Sequence, residues 1–245
     1  MTTQYTKFKK YEERIESMHF SVDSLERRVY WTVLSEQTIV RSNIEDGSRT
    51  ETVMTSERAL YIYVLEETRE MYWLSDKGTE KHLKKAFLDG SSPSTLSIDP
   101  TNDWECFAMD GHRRKVYLGG SEKIVQIDVS GQTIQSKIFL NNTQASFLYF
   151  HKRERRLYWP NNRLVAVQHT NLDTPAIRTI PIRGRSGKIP SLATIQSTIY
   201  IILDGTPTGL LDLSTYKAAF SVRLRSAYTS ASAGVPLTIF ITDID

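Results

Sequence analysis

An aromatic marker recurs along this chain at near-equal intervals. Tyr30, Tyr72, Tyr117, Tyr158, Tyr200 and Phe240 are separated by 42, 45, 41, 42 and 40 residues. No other feature restricts the fold so tightly, because a fixed period of this length means a repeated supersecondary unit. The flanks agree as well. Ahead of most markers lie an apolar run and a charged turn: "HFSVDSLERR", "LYIYVLEETRE", "CFAMDGHRRK", "FLYFHKRERR". Behind come a short polar break and an alternating segment such as "TIVRSNI", "HLKKAFL", "KIVQIDV", "RLVAVQHT" or "GLLDLST". A turn and a last segment such as "TETVMT", "TIQSKIF" or "AIRTIPI" complete the unit. Period-two alternation punctuated by Gly, Asn and Asp predicts strands and hairpins. Each unit therefore reads as four strands, A to D, with the marker on B.

Four-stranded units of about 40–45 residues predict the blades of a β-propeller. The expected fold is all-β, a single domain over residues 1–245 with six blades of about 42 residues. The sixth blade would take its A and B strands from "AYTSASAGVPLTIFITDID". The N-terminal "TQYTKFKKYEERIES" would supply the missing C and D strands, closing the ring and removing exposed sheet edges. A helical N-terminal extension is the alternative, since "KKYEERIESM" is made mostly of good helix formers.

The unit beginning "RRVYWT" and continuing "IVRSNIEDGS" resembles the YWTD repeat of the low-density lipoprotein receptor family (class B). There, six repeats form a six-bladed propeller. The motif is varied here: Tyr30-Trp31-Thr32, Tyr72-Trp73-Leu74-Ser75-Asp76, Tyr158-Trp159-Pro160-Asn161, single Tyr117 and Tyr200, and Thr242-Asp243 in the last unit. The resemblance implies that Tyr30, Trp31, Tyr72, Trp73, Tyr158, Trp159 and Asp243 hold the blades together rather than touch a ligand. It also implies a non-enzymatic, extracellular protein-binding role, in a receptor or an adhesion protein. The Cys-rich module that usually adjoins such propellers is not found in this sequence.

Composition narrows the function classes. A net charge of +3 with no long run of one sign argues against a nucleic-acid partner. The lone Cys106 excludes an internal disulfide framework and a multi-cysteine metal site, and its apolar surroundings predict a buried structural thiol. The longest apolar runs are strand-sized, so no membrane insertion by this segment is expected. The charged start lacks the apolar stretch of a secretory signal. The chain would be cytoplasmic if complete as given, and extracellular as part of a secreted or membrane-anchored protein.

No catalytic motif, metal-ligand spacing or cofactor loop is present, so no catalytic residue, metal or cofactor is expected. The five histidines are scattered, and His112 and His151 fall in A–B turns where solvated surface is expected. A second reading is a metal-dependent, lactonase-like propeller hydrolase with a cation in the channel. It would draw on Asp23, Glu66 and Asp110 near the strand ends.

Two surfaces are candidates for binding. The A–B turns carry Arg27, Arg28, Arg69, Arg113, Arg114, Lys115, Lys152, Arg153, Arg155 and Arg156. Together they would form a basic face suited to an acidic protein or a sulfated glycan. The opposing expectation is that acids of the C–D turns (Glu45, Asp46, Asp89 and Asp173) neutralise them. At the other end, the B–C and D–A loops offer Asn161, Asn162, Arg163, Arg183, Arg185 and Lys188 as contact residues. Asn141-Asn142-Thr143 is an N-glycosylation sequon between the third and fourth units.

Overall fold

The computed structural model describes residues 19–181 apart from 97, 100–101, 132, 162–163 and 165, and further on the backbone of four strands between 191 and 219. The first sheet comprises β1 (Phe20–Asp23), β2 (Arg28–Val33), β3 (Thr38–Asn43) and β4 (Glu51–Met54). The second comprises β5 (Ala59–Leu65), β6 (Glu70–Asp76), β7 (Lys81–Phe87) and β8 (Ser94–Thr95). The third is β9 (Trp104–Asp110), β10 (Lys115–Gly120), β11 (Lys123–Asp128) and β12 (Gln135–Asn141). The fourth is β13 (Tyr149–His151), β14 (Arg156–Asn161), β15 (Ala166–Asn171) and β16 (Arg178–Pro181). The fifth is β17 (Ser191–Ile195), β18 (Thr198–Leu203), β19 (Thr206–Asp212) and β20 (Lys217–Ala219).

In each sheet the strands lie side by side in chain order, and the pairings are antiparallel. Five four-stranded blades therefore stand where the period places them. The expected sixth blade, the closing N-terminal strands and their helical alternative lie outside the described residues. The chain divides into two compact units, Met1–Asp103 and Trp104–Asp245. The first holds the first two blades and the second holds the other three.

Local chemistry explains why each blade turns where it does. In every C–D corner from blade one to blade four, a side-chain carbonyl or carboxylate oxygen accepts the backbone N–H two residues on. The pairs are Asp46 with Ser48, Asp89 with Ser91, Asp128 with Ser130 (each 2.9 Å) and Asn171 with Asp173 (2.8 Å). These Asx-turns supply the bend that links C to D. Gly90 in the second corner has φ +85°, and a Cβ there would meet the Val53 carbonyl oxygen at 2.3 Å. Only glycine fits that corner.

The A–B corners share a second device. Arg27, Arg69, Arg114 and Arg155, each three residues ahead of its marker, adopt left-handed backbone with φ of 50–57°. Their carbonyl oxygens accept the N–H of Ile44, Leu88, Val129 and Leu172 at 2.9–3.0 Å, tying the A–B corner to the C–D corner of the same blade.

Both faces of the middle strands are covered, and the marker residues form the core. Tyr30, Tyr72, Trp73, Tyr158 and Trp159 are fully buried, and Tyr117 and Trp31 nearly so. Their structural role, implied by the resemblance, is what the structure shows for them; Asp243 lies outside the described residues. In the first unit, Tyr30 and Ile39 of blade one pack with Ile62, Val64, Met71 and Trp73 of blade two. The Arg41 guanidinium donates to the Leu88 carbonyl oxygen at 2.9 Å. In the second unit, Cys106 is buried and its thiol contacts the Ala145 carbonyl at 3.2 Å. Burial pushes that thiol well above its ordinary pKa. It fills the space left by Gly119, where a Cβ would meet Cys106 Sγ and Ala145 Cβ at 2.9 Å. The expected structural thiol is what is found.

Candidate binding site

Seven residues ahead of the marker, blades one, three and four end strand A on a polar side chain that is buried in the corner: Asp23, Asp110 and His151. Each caps its turn. Asp23 accepts the Glu26 N–H and Asp110 the Arg113 N–H, both at 3.3 Å, and His151 Nδ1 accepts the Glu154 N–H at 3.0 Å. His151 is therefore not the solvated turn residue its sequence context predicts. It stands in the place of an aspartate, while His112 is exposed as expected.

The two aspartates are also neutralised from the next blade. Within the first unit, the Arg69 guanidinium lies 2.8 Å from Asp23 Oδ2 and 2.5 Å from Glu26. Within the second, Arg155 lies 3.1 Å from Asp110 and 3.1 Å from Asp173. The aspartates are 0% and 1% exposed, so each buried charge depends on its arginine. Glu66, the third acid of the hydrolase reading, accepts hydrogen bonds from the Ser24 backbone N–H and hydroxyl. All three acids thus have structural partners, and among the described residues no group of three or more His, Cys, Asp or Glu is placed to hold a metal ion.

The same pairing consumes much of the predicted basic face. Arg27 meets Glu45 at 2.5 Å, and Arg28 meets Glu51 at 2.5 Å and Glu26 at 3.6 Å. Arg113 meets Asp173 at 2.6 Å, Arg156 meets Glu154 at 2.9 Å, and Lys115 pairs with Asp128. Arg114 is half-buried, and Lys152 and Arg153 are exposed. The C–D acids Glu45 and Asp173 act as expected, whereas Asp46 and Asp89 are used in their own Asx-turns. Paired charges leave a weaker field than the count of arginines implies.

At the opposite ends of the sheets, the tryptophans of strand B sit across from strand C. Trp73 pairs in register with Lys84, Trp159 with Gln168, and Trp31 with Val40. Trp73 Nε1 donates to Glu57 at 3.2 Å, and the Ser75 hydroxyl and Lys84 ammonium donate to the same carboxylate. Burial works against the charged form of Glu57, but the hydrogen bonds from Lys84, Trp73 and Ser75 hold its carboxyl below the usual range. In blade four, Trp159 Nε1 donates to Gln168 Oε1 at 3.0 Å, and Asn161 Nδ2 donates to the same oxygen at 3.2 Å. Blade one has an apolar valine in that slot, and Trp31 Nε1 is buried without a partner among the described residues.

Of the predicted loop contacts, Asn161 ends β14 half-buried, with Oδ1 accepting the Leu164 N–H at 3.1 Å. It shapes the B–C turn of blade four. Asn162, Arg163, Arg183, Arg185 and Lys188 lie outside the described residues. Leu164, which sequence reasoning passed over in favour of its polar neighbours, is 60% exposed at the tip of this turn. Its signal was a large apolar residue in a polar loop. Asn141 is exposed at the end of β12.

His169 on β15 is buried beside Tyr158, with ring centroids 5.2 Å apart, and neither ring nitrogen has a partner among the described residues. Burial, reinforced by the Arg156 and Arg178 charges against a smaller opposing effect of Glu154, lowers its pKa from 6.5 to about 4. The fold therefore holds the neutral ring. Stability from this residue is complete above about pH 6.5 and drains away as pH falls toward 4, by no more than roughly 3 kcal/mol. Chemical denaturation from pH 7.5 to 4 should show that loss, and His169→Phe should flatten this part of the slope.

No family model matches the chain. Over 90 residues, 33% of this chain and 6% of the relative, it is 38% identical to nidogen-2 of Mus musculus. The chain thus spans only a small part of that relative's length. Among solved structures, one from a nidogen/laminin complex matches 82% of this chain and 77% of its own, with TM-score 0.70 and 19% identity. The Cps50 (Swd1) β-propeller domain of Myceliophteria thermophila matches over 83% and 71%, with TM-score 0.64 and 8% identity. At these identities the structural likeness establishes the propeller fold.

Proposed function

We propose that this chain, a β-propeller of the YWTD type, is a non-catalytic module that binds another protein outside the cell, as part of a receptor or an adhesion protein. The observation that carries this reading is the stretch 38% identical to nidogen-2, together with a backbone similar to a propeller solved in a nidogen/laminin complex. The commitment of Asp23, Glu66 and Asp110 to structural partners supports the absence of catalysis. The sixth blade and closure of the ring across 1–245 belong to the same proposal.

The binding face is the end of the blades that carries the B–C and D–A loops. Rigid sheets present these loops, and Leu164 supplies an exposed apolar anchor directly after Asn161, Asn162 and Arg163 in the sequence. Arg183, Arg185 and Lys188 add positive charge, which favours an acidic protein surface. Arg27, Arg28, Arg113, Arg114, Arg155 and Arg156 serve chiefly to hold the corners, with a sulfated glycan the other ligand they suit. Laminin is the first probe to use. Biolayer interferometry should give saturable binding that falls at least tenfold with Leu164→Asp and stays within twofold with Arg113→Glu. No saturable binding to laminin or other matrix proteins overturns the reading. Loss with Arg113→Glu alone moves the site to the arginine-bearing corners.

A further inference from the structure

The outer strands of the blades differ in one respect that bears on pairing with other chains. Strands β4 and β16 have four residues, β8 two and β20 three, whereas β12 has seven. Strand β16 also ends on Pro181, which has no N–H to offer a passing strand. Strand β12 is mostly exposed along its length and pairs on one side with β11. Its Ile138 is 59% exposed. The register shifts by one residue at Phe139, between Ile138 and Leu140, but the strand stays paired on both sides of the shift. A long, partly apolar edge of this kind is a template for pairing with another chain unless something blunts it.

Asn141 is the last residue of that strand, exposed, and the first of Asn141-Asn142-Thr143. Asn142 takes left-handed backbone (φ 52°) and turns the chain off the strand. The Thr143 hydroxyl folds back to donate to the Asn141 carbonyl at 3.1 Å, and the Thr143 N–H donates to the Glu122 carbonyl at 2.8 Å. Thr143 is only 5% exposed once these bonds form. The Asn141 side chain projects from the end of the edge, and Ile138 lies three residues back, about 10 Å along the strand.

We propose that Asn141 carries an N-linked glycan whose role is to cover the β12 edge. The inference rests on the extracellular reading above, since it requires passage through the secretory pathway. The Asn141 Nδ2 forms a bond to the anomeric carbon of an oligosaccharide held on a lipid diphosphate. The diphosphate leaves with the electron pair, the amide loses a proton, and no oxidant is needed. Burial of Thr143 dictates the timing: the sequon is read while this segment is still open, before the third and fourth blades close over it.

The test expresses the full chain behind a secretion signal and analyses the secreted protein by glycopeptide mass spectrometry. The expected result is an occupied Asn141, released by peptide N-glycosidase with conversion to Asp and lost in Asn141→Gln. The Asn141→Gln protein should then form concentration-dependent oligomers in sedimentation velocity, and Ile138→Lys should restore the monomer. A secreted chain with unmodified Asn141 overturns the proposal and leaves the protein-binding reading intact. An occupied Asn141 with an equally monomeric Asn141→Gln variant overturns the edge-covering role. Folded protein offered to the transferase in vitro should remain unmodified, and modification there would overturn the timing.

Discussion

Trp73→Ala lowers the stability of the first unit by about 3–5 kcal/mol, measured by urea denaturation. The indole is fully buried among Tyr30, Ile62 and Met71, so truncation leaves a cavity between two blades. The same change removes one of three donors from the Glu57 carboxylate. A comparison with blade one separates these contributions. Trp73→Phe keeps most of the volume but loses a hydrogen bond to a charged group, about 1.5–3 kcal/mol. Trp31→Phe removes an indole N–H that has no partner among the described residues, so the volume it loses is partly offset. The Trp73 variant should therefore be the less stable of the two phenylalanine variants. The opposite order would mean that the Glu57 cluster contributes nothing.

The second large effect belongs to Arg155. Arg155→Ala strands the buried Asp110 without a countercharge, which costs about 3–5 kcal/mol. Arg113 touches the same Asp173 but sits half in water, so Arg113→Ala should cost less than about 1 kcal/mol. Asp110→Asn in the Arg155→Ala background should recover much of the loss, because asparagine still accepts the Arg113 N–H and carries no charge. Equal costs for the two arginines, or no recovery in the double variant, would show that Asp110 is not held by this pair. The corresponding pair in the first unit, Asp23 with Arg69, should behave alike.

How far the sequence carries can be judged from these residues. The blades were legible because the Tyr-Trp positions recur on strand B, and the alternation around them has a single burial solution in a sheet with both faces covered. The corners were only half legible. An Asp followed two residues on by Ser marks an Asx-turn, but an arginine in left-handed backbone has no signature of its own, since that conformation is expected of Gly, Asn or Asp. What betrays Arg27, Arg69, Arg114 and Arg155 is position, three residues ahead of the marker. Counting seven ahead would have exposed His151 as the stand-in for Asp23 and Asp110, where the polarity of "HKRERR" alone pointed to solvent. The ion pairs between blades were beyond reach, because Arg69 and Asp23 are 46 residues apart and meet only once two sheets pack.

The candidate binding site was less legible than the fold for a related reason. A period reports what every blade needs, and a ligand is met by what one blade does differently. Leu164 breaks the polar pattern of its loop, and Val40 breaks the pattern that gives Trp73 and Trp159 a polar neighbour across the strand. The arginines were prominent in sequence because they are repeated, and repetition is the mark of scaffold.

Hydrogen exchange of the chain with and without laminin tests the central claim most directly. Protection concentrated on the B–C turn of blade four around Asn161 and Leu164, and on the segment from Arg183 to Lys188, is the predicted result. Protection confined to the A–B corners around Arg113 and Arg155 would contradict it.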